Sequence, residues 1–253
     1  MRISLRDLSV SLAGASILDK VTLEIEPGSI VAVVGLSGSG KTTLLKAIAG
    51  LLDPSTATVT GIVSIVDQTG IPRSPEIGMA FQRPFLFPWT SAINNVRLSH
   101  RLHRSNTTEA EAQEAMEMVG MLDESNKYPR QLSGGMQQRV ALAREFARRP
   151  DVLLLDEPFS SLDCITKEQL CDSLLEFWYK RRSTIVLVTH DPRDAAFLSD
   201  EVLVLRHGVL QKESRKAISF DRPRSSSLGR TEEFHEVVEW IIEELRSEAV
   251  GHP

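Results

Sequence analysis

The stretch that decides the fold is Gly35-Leu36-Ser37-Gly38-Ser39-Gly40-Lys41-Thr42, which matches the pattern G-x-x-x-x-G-K-[S/T]. The apolar run Ile30–Val34 comes directly before it, and a helical pattern follows it. A strand, a glycine-rich loop and a helix in this order point successive N–H groups and the positive end of a helix dipole toward one place. The stretch therefore predicts a phosphate-binding loop rather than a plain glycine-rich turn, with Lys41 on the β- and γ-phosphates and Thr42 on Mg²⁺.

A second apolar run, residues 152–155, ends in Asp156 and Glu157. Such a run predicts a strand buried on both faces, whose carboxyl end faces the ligand in a parallel sheet. Asp156 suits the Mg²⁺ shell, directly or through water, and Glu157 can polarise an attacking water as a general base. For this motif alone, the alternative is a strand that ends in a solvated acidic turn.

The motif Leu132-Ser133-Gly134-Gly135-Met136-Gln137 precedes the acidic strand, and with it the chain resembles the ATP-binding-cassette (ABC) ATPases over nearly its whole length. In that family the phosphate loop of one subunit and this signature motif of a second enclose one ATP. The resemblance therefore implies a head-to-tail dimer with a second copy or a homologous subunit. Ser133 and the two glycines are expected to open a helix toward Arg148 and to aim N–H donors at the partner's γ-phosphate. The alternative is a loop that only starts a helix.

Three smaller motifs fall where the family pattern has them. Gln82 resembles the glutamine that contacts Mg²⁺ or water, Ser160-Ser161-Leu162-Asp163 resembles the loop that crosses the dimer interface, and His190 resembles the switch histidine on the γ-phosphate. Each motif is weak alone and gains its meaning from the others. The expected nucleotide-contacting residues are Gly35, Leu36, Ser37, Gly38, Ser39, Gly40, Lys41, Thr42, Thr43, Ser133, Gly134, Gly135 and Asp163; the expected catalytic residues are Lys41, Gln82, Glu157 and His190; the expected Mg²⁺ ligands are Thr42, Gln82 and Asp156.

Composition limits the classes of protein that fit. The chain has 253 residues, 42% of them hydrophobic, and a formal net charge of −5. This length can bury one α/β core plus an insert, and the charge gives no basic footprint for nucleic acid. No apolar run reaches the roughly 20 residues needed to span a bilayer. The first residues lack a secretory hydrophobic segment, so a cytosolic chain with Cys164 and Cys171 reduced is expected.

The predicted fold is α/β, with a P-loop NTPase core of RecA type and a helical insert particular to the ABC family. The ABC ATPase domain is placed at residues 1–215, with its core at 1–83 and 149–215 and its insert at about 84–148, and residues 216–253 are expected to be a linker or surface loop and a C-terminal helix. The predicted core strands are 30–34, 152–155, 184–188 and 202–205. A first helix is predicted with Leu44, Ile48 and Leu51 on one face. A second is predicted to begin with a capping box of Thr108 and Glu111 and to carry Ala112, Met116 and Val119 on one face. The last helix is predicted to be capped by Thr231, with Phe234, Val238, Ile241 and Leu245 on one face.

The segment Phe85-Leu86-Phe87-Pro88-Trp89, called the docking segment below, follows Gln82 closely. A single cassette without a membrane domain resembles the ATPase subunit of an importer. This implies a separate integral membrane permease, an extracytoplasmic solute-binding protein reached through that permease, and a peripheral position on the cytoplasmic face of the cell membrane. Aromatic anchors in a groove are what receive a partner helix. Burial of these residues within the insert is the alternative.

The Pro88-Trp89 dipeptide, residues 191–198 and the segment Phe220-Asp221-Arg222-Pro223-Arg224 are similar to the nitrate, sulfonate and taurine importer ATPases. Candidate solutes are aliphatic sulfonates, nitrate, bicarbonate, aromatic acids and pyrimidine precursors. Three other functions compete with this one: the ATPase subunit of an exporter, a soluble regulatory ABC ATPase, and a P-loop kinase. The signature motif and His190 argue against the kinase.

Two positions depart from the family pattern. Family members usually carry an aromatic residue near the position of Leu12 to stack on adenine, and no Phe, Tyr or Trp occurs here before Phe81. Weaker nucleotide affinity and poorer discrimination of ATP from GTP are therefore expected. Ala57 stands where a glycine is common, and it is expected to change only a loop.

Overall fold

The computed structural model describes residues 1–67, 74–101, 107–160 and 162–250. The chain forms two compact units, the first made of Met1–Pro75 and Thr184–Pro253 and the second of Glu76–Ser183. In chain order the strands are β1 (Arg2–Leu12), β2 (Ala15–Ile25), β3 (Ile30–Val34), β4 (Ala57–Val66), β5 (Ile77–Ala80), β6 (Val152–Asp156), β7 (Thr184–Val188), β8 (Glu201–Arg206) and β9 (Val209–Ala217). The α-helices are α1 (Lys41–Ala49), α2 (Ala92–Arg101), α3 (Glu109–Met118), α4 (Gly134–Ala147), α5 (Cys164–Arg181), α6 (Pro192–Leu198) and α7 (Glu232–Val250). Within these ranges no helix combines the length and the apolar character needed to cross a membrane.

The phosphate loop lies in the first unit at the end of a parallel array. Strands β7, β3 and β8 run parallel in that order, and β9 pairs antiparallel with the outer side of β8. All five residues of β3 and all five of β7 are buried, as expected for strands covered on both faces. The predicted strands 30–34, 184–188 and 202–205 are therefore confirmed.

A separate antiparallel sheet of the first unit has the order β2-β1-β4, and the sequence analysis did not predict it. Its inward side chains include Ile3, Leu5, Leu8 and Val10, all fully buried. The pairing of β1 with β2 shifts register between Leu5 and Leu8. This bulge breaks the two-residue alternation by which strands are recognised in a sequence.

Helix α1 begins at Lys41 and ends before Gly50, which adopts a left-handed conformation with φ 68°. Leu44 and Ile48 are buried on its inner face. Leu51, predicted to share that face, lies beyond the helix end and is 55% exposed. The prediction for Leu51 was wrong because a left-handed C-cap turns the chain away from the helix axis.

The last helix covers the parallel array of the first unit. Phe234, Val238 and Ile241 of α7 pack in one cluster with Ala32 and Val34 of β3, and Leu245 lies against the same cluster. The backbone N–H of Phe234 donates to the hydroxyl of Thr231 at 3.3 Å. The predicted N-cap and apolar face of this helix are confirmed.

Residues 218–230 of the first unit form a surface loop, one of the two predicted alternatives, which ends in a short 3-10 helix at Ser226–Arg230. Arg224, which is 7% exposed, donates to the carbonyl oxygens of Phe197 and Ser199, both at 2.8 Å. Arg222 donates to Asp200 Oδ1 at 2.7 Å. The arginines of this segment therefore hold a surface loop to the first unit through backbone carbonyls and Asp200.

The second unit contains the parallel pair β5 and β6 with helices α2 to α5. Helix α3 begins with the predicted capping box, in which the hydroxyl of Thr108 accepts from the N–H of Glu111 at 3.2 Å and Glu111 Oε2 accepts from the N–H of Thr108 at 2.9 Å. The predicted face of Ala112, Met116 and Val119 is buried. Strand β6 confirms the predicted strand 152–155.

Candidate nucleotide-binding site

The phosphate loop curls around its own lysine. Lys41 is 7% exposed, and its Nζ donates to the carbonyl oxygens of Gly35 and Leu36, both at 2.8 Å. Gly40, the residue before the helix, has φ 101°, and a Cβ there would lie 2.9 Å from Leu18 Cδ2. Glycine is required at this position because an L side chain would be both strained and crowded. Thr42 and Thr43 occupy the first turn of α1.

The turn between β8 and β9 supports this loop, and the sequence analysis missed it. The N–H of Gly208 donates to the carbonyl of Ser39 at 3.0 Å, and the carbonyl of Gly208 accepts from Asp19 N–H at 2.9 Å. A Cβ at Gly208 would lie 2.1 Å from the carbonyl oxygen of Ile17. The available signal was a glycine three residues after the end of the predicted strand 202–205.

Within the phosphate loop, Ser39 is 4% exposed, and among the described residues its hydroxyl has no hydrogen-bond partner. A buried polar group without a partner is costly, because it has lost water and gained nothing in return. A ligand oxygen in the loop would supply such a partner. The exposed surface of the loop is formed by Leu36, Ser37 and Gly38.

The end of the acidic strand brings two predicted residues of the second unit together. Gln82 Nε2 donates to Glu157 Oε2 at 3.2 Å. Glu157 has φ 47°, an uncommon conformation for a residue other than glycine and one that recurs at active sites. Asp156, the last residue of β6, is 6% exposed. The structure therefore places a buried carboxylate next to a half-buried one that an amide orients.

The signature motif opens α4 as expected. The hydroxyl of Ser133 accepts from Met136 N–H at 3.2 Å, which caps the helix. Gln137 Nε2 donates to the carbonyls of Pro129 and Leu132 at 3.0 and 3.2 Å and so fixes the loop before the helix. Ser133 and Gly134 are exposed, and no described atom lies within 4 Å of a Cβ added at Gly134. The N-terminal end of α4 is open to a ligand.

Asp163, also in the second unit, caps α5, because its carboxylate accepts from the backbone N–H of Thr166 at 3.0 Å. This hydrogen bond and a second one from the Thr166 side chain hold the pKa of Asp163 below its usual value. Ser161, in the same predicted loop, lies outside the described residues. The expected interface loop thus ends in an exposed, ionised helix cap.

His190 follows β7 in the first unit and is exposed. The residue before it, Thr189, donates its N–H to the carbonyl of Val33 in β3 at 3.3 Å. The next residue, Asp191, caps α6 by accepting from Arg193 N–H at 2.8 Å. His190 therefore stands between a strand end and a helix start, at the same edge of the array as the phosphate loop.

The two departures from the family pattern lie in one pair of strands. Leu12 is the last residue of β1 and pairs with Ala57, the first residue of β4. The expectation that Ala57 changes only a loop was wrong, because it lies in a strand of the antiparallel sheet. Leu12 is half-buried and offers only an apolar contact to a base.

A family model described as ABC transporter matches residues 18–160, which are more than half of the chain. The chain belongs to the ABC transporter family.

Curated relatives of this ABC ATPase are named as import or transport proteins. It is 42% identical over 220 residues to the aliphatic sulfonates import ATP-binding protein SsuB 1 of Paracoccus denitrificans, with 87% of this chain and 86% of the relative covered. It is 42% identical over 200 residues to the nitrate import ATP-binding protein NrtD of Synechocystis sp., with 78% and 74% covered. It is 39% identical over 214 residues to the bicarbonate transport ATP-binding protein CmpD of Synechocystis sp., with 83% and 74% covered.

A solved structure supports the same assignment. The ATP-binding cassette MJ0796 is described as a dimer in a post-hydrolysis state bound to ADP and Pi. It is 29% identical to this chain, with a TM-score of 0.74, and the match covers 87% of this chain and 100% of MJ0796. The expected family, the P-loop α/β fold and the ATPase activity are thereby confirmed. The names of the relatives favour an importer subunit over an exporter or a soluble regulator.

The docking segment of the ABC cassette presents two aromatic side chains to solvent. Phe85 is 63% exposed and Trp89 is 72% exposed, so the alternative that they are buried within the insert is wrong. The backbone around them is held firmly. Asn95, which is fully buried, accepts from Phe87 N–H at 2.7 Å and donates to the carbonyls of residues 87, 90 and 91 at 3.1–3.2 Å. Exposed rings on a fixed backbone are suited to receiving a partner.

Proposed function

We propose that this chain is the ATP-hydrolysing subunit of an importer that takes up a small solute of the nitrate, sulfonate, taurine or bicarbonate type through a separate permease. The observation that carries the proposal is the exposed pair Phe85 and Trp89 on a chain about 40% identical to import ATP-binding proteins. Nitrate, bicarbonate and sulfonates share one negative charge on a small group. This common chemistry defines the proposed class of solute.

The residues of the site fit Mg²⁺ chemically. The Thr42 hydroxyl, the Gln82 amide oxygen and the Asp156 carboxylate are all oxygen donors, which Mg²⁺ prefers, and a carboxylate as buried as Asp156 is the kind found paired or on a metal. Mg²⁺ held by these oxygen donors together with the nucleotide would neutralise charge on the β- and γ-phosphates.

Glu157 accepts the proton of the attacking water as general base, and the hydrogen bond from Gln82 orients its carboxylate. Lys41 leaves the loop carbonyls that it contacts now and donates to the phosphates instead. His190 contacts the γ-phosphate from the end of β7.

A second copy of the chain completes each site. The exposed start of α4, with Ser133, Gly134 and Gly135, offers N–H donors and a helix dipole to the γ-phosphate held by the partner's phosphate loop. Asp163 contributes from the adjacent loop. Glu157→Gln removes the base and keeps ATP, so this variant is expected to hold two copies together.

The docking segment is proposed to bind a cytoplasmic helix of an integral membrane permease, with Phe85 and Trp89 as the anchors. The chain then lies on the cytoplasmic face of the membrane as a peripheral subunit. A solute-binding protein outside the membrane delivers the solute to the permease.

The test is purification of the tagged chain from mildly solubilised native membranes, with bound proteins identified by mass spectrometry. The Phe85→Ala/Trp89→Ala double variant is compared with a control double variant, Leu122→Ala/Tyr128→Ala, which removes two other exposed side chains of the same unit (40% and 42% exposed). A multi-span permease and a binding protein, both lost in the first variant and kept in the control, are expected. A permease without a binding protein would favour an exporter, and the absence of any membrane partner would favour a soluble ATPase.

A further inference from the structure

The helix that begins with the signature motif also holds the backbone in front of the docking segment. Gln138, which is 2% exposed, donates to the carbonyl of Phe81 at 3.3 Å. Two turns later, Arg144 donates from Nη1 to the carbonyl of Phe85 at 3.1 Å and from Nη2 to that of Pro84 at 3.5 Å. Helix α4 therefore contacts the chain on both sides of Gln82.

Phe85 depends on this support. Its φ is 41°, a left-handed conformation that is rare for an aromatic residue and persists only where the surroundings enforce it. Its ring meets Phe81 edge to face at 5.6 Å and remains largely exposed. The guanidinium of Arg144 binds the carbonyl of the strained residue itself, so it fixes the direction in which the Phe85 ring projects.

Arg144 is held in place by a buried chain of charges. Its side chain is 11% exposed, and its Nε donates to Glu145 Oε1 at 3.2 Å. The other carboxylate oxygen of Glu145 accepts from Arg148 Nη1 at 2.9 Å. Paired on one side and bonded to carbonyls on the other, the Arg144 guanidinium has a single orientation.

Helix α4 is 14 residues long, which corresponds to a rod of about 21 Å. Its first residues carry the signature, and Arg144 lies near its end. A small rotation of such a rod at one end is transmitted to contacts at the other, since packed elements move as units.

We propose that Arg144 is a positioning residue that couples the signature to the docking segment: when a second copy and ATP engage the signature, Arg144 moves the backbone of Phe85 and changes how that ring is presented to the permease. This inference rests on the proposed function, because it requires an ATP-dependent dimer. The positioning acts through backbone carbonyls and does not involve the chemistry of hydrolysis.

The experiment places a single 4-trifluoromethylphenylalanine at position 85 in the Glu157→Gln background and records its ¹⁹F spectrum with and without Mg-ATP. Dimer formation is measured on the same samples by size-exclusion chromatography with light scattering. The compared variants are Arg144→Ala, Arg144→Lys and Arg148→Ala. The last is the control, because Arg148 pairs with the same Glu145 but donates to Glu76 and to the carbonyl of Ile77 instead of to residues 84 and 85. Melting temperatures report whether each variant folds.

In the parental chain we expect ATP to cause dimerisation and to shift the ¹⁹F signal. Arg144→Ala should dimerise while losing the shift, Arg144→Lys should keep about half of it because a lysine lacks the two-pronged geometry, and Arg148→Ala should keep it fully. If Arg144→Ala does not fold, the lysine variant decides.

A full shift in Arg144→Ala or Arg144→Lys, an equal loss in Arg148→Ala, or a parental dimer without a shift would overturn the coupling while leaving the proposed function intact. A parental chain that binds ATP without dimerising would instead refute the proposed function and this inference with it.

Discussion

Replacing Gly35 by alanine tests how tightly the phosphate loop is fitted to the sheet behind it. A Cβ at Gly35 would lie 2.4 Å from the carbonyl oxygen of Leu205 and 2.6 Å from Ser39 Oγ. The serine can rotate, but Leu205 is fully buried in β8 and its carbonyl belongs to the backbone of a paired strand. Ordinary van der Waals contact begins at 3.4 Å, so the loop must move by about 1 Å. A displacement of this size can lower activity by up to about 100-fold where the positions of the reacting groups must be precise.

We therefore expect Gly35→Ala to bind ATP about 10- to 100-fold more weakly and to lose roughly 1–3 kcal/mol of folding free energy from overpacking. Isothermal titration with ATP and thermal unfolding measure the two effects. Gly50→Ala is the control: its φ is 68°, and no described atom lies within 4 Å of the added Cβ. It should cost about 1 kcal/mol of stability for the left-handed backbone and leave ATP affinity unchanged. Gly35→Ala with affinity within twofold of the parental chain would refute the reasoning.

Four further substitutions test other parts of the site and fold. Lys41→Ala should weaken ATP binding by about 10- to 150-fold, the equivalent of a lost charged hydrogen bond; normal affinity would contradict the role of the lysine. Glu157→Gln should bind ATP and form a dimer while turnover falls by about 10²- to 10⁴-fold; a parental rate would show that another group is the base. Leu12→Tyr should raise ATP affinity by roughly 2- to 13-fold, from the 0.5–1.5 kcal/mol of an aromatic contact, and a titration without any gain would count against the adenine position. Phe234→Ala removes a ring that is 2% exposed and should lower the free energy of unfolding, measured by chemical denaturation, by about 3–5 kcal/mol. A loss under about 1 kcal/mol would mean that α7 does not depend on this side chain.

Local patterns were enough to predict the parallel strands and the helix starts. A buried strand such as β3 is a short apolar run, and the capping box of Thr108 and Glu111 spans only four residues. The antiparallel sheet was missed for a physical reason. Asp7 has φ 48° within the bulge of β1, and a Cβ at Gly61 in β4 would lie 2.4 Å from its carbonyl oxygen. The close packing of Gly61 on Asp7 joins residues far apart in the chain. A sequence pattern read over about ten residues therefore cannot reveal it.

For the site as well, local motifs could be predicted and contacts between distant residues could not. The phosphate loop, the acidic pair and the signature are contiguous motifs, and the helices expected after the first and the last of them begin at Lys41 and Gly134. The support of the loop by Gly208 was missed, because its partners Asp19 and Ser39 are each more than a hundred residues away in the sequence.

The side chains that sequence reasoning missed share one property, which is that they donate to backbone carbonyls. Arg144 binds Phe85, Asn95 binds Phe87, and Arg224 binds Ser199, in each case through the carbonyl oxygen. Every residue has a backbone carbonyl oxygen, so the type of the accepting residue does not indicate that such a hydrogen bond forms. The same independence has a functional consequence. Under the proposed function, the side chains at positions 85 and 89 can differ to suit another permease, because Arg144 and Asn95 bind the docking segment through its backbone whichever side chains it carries.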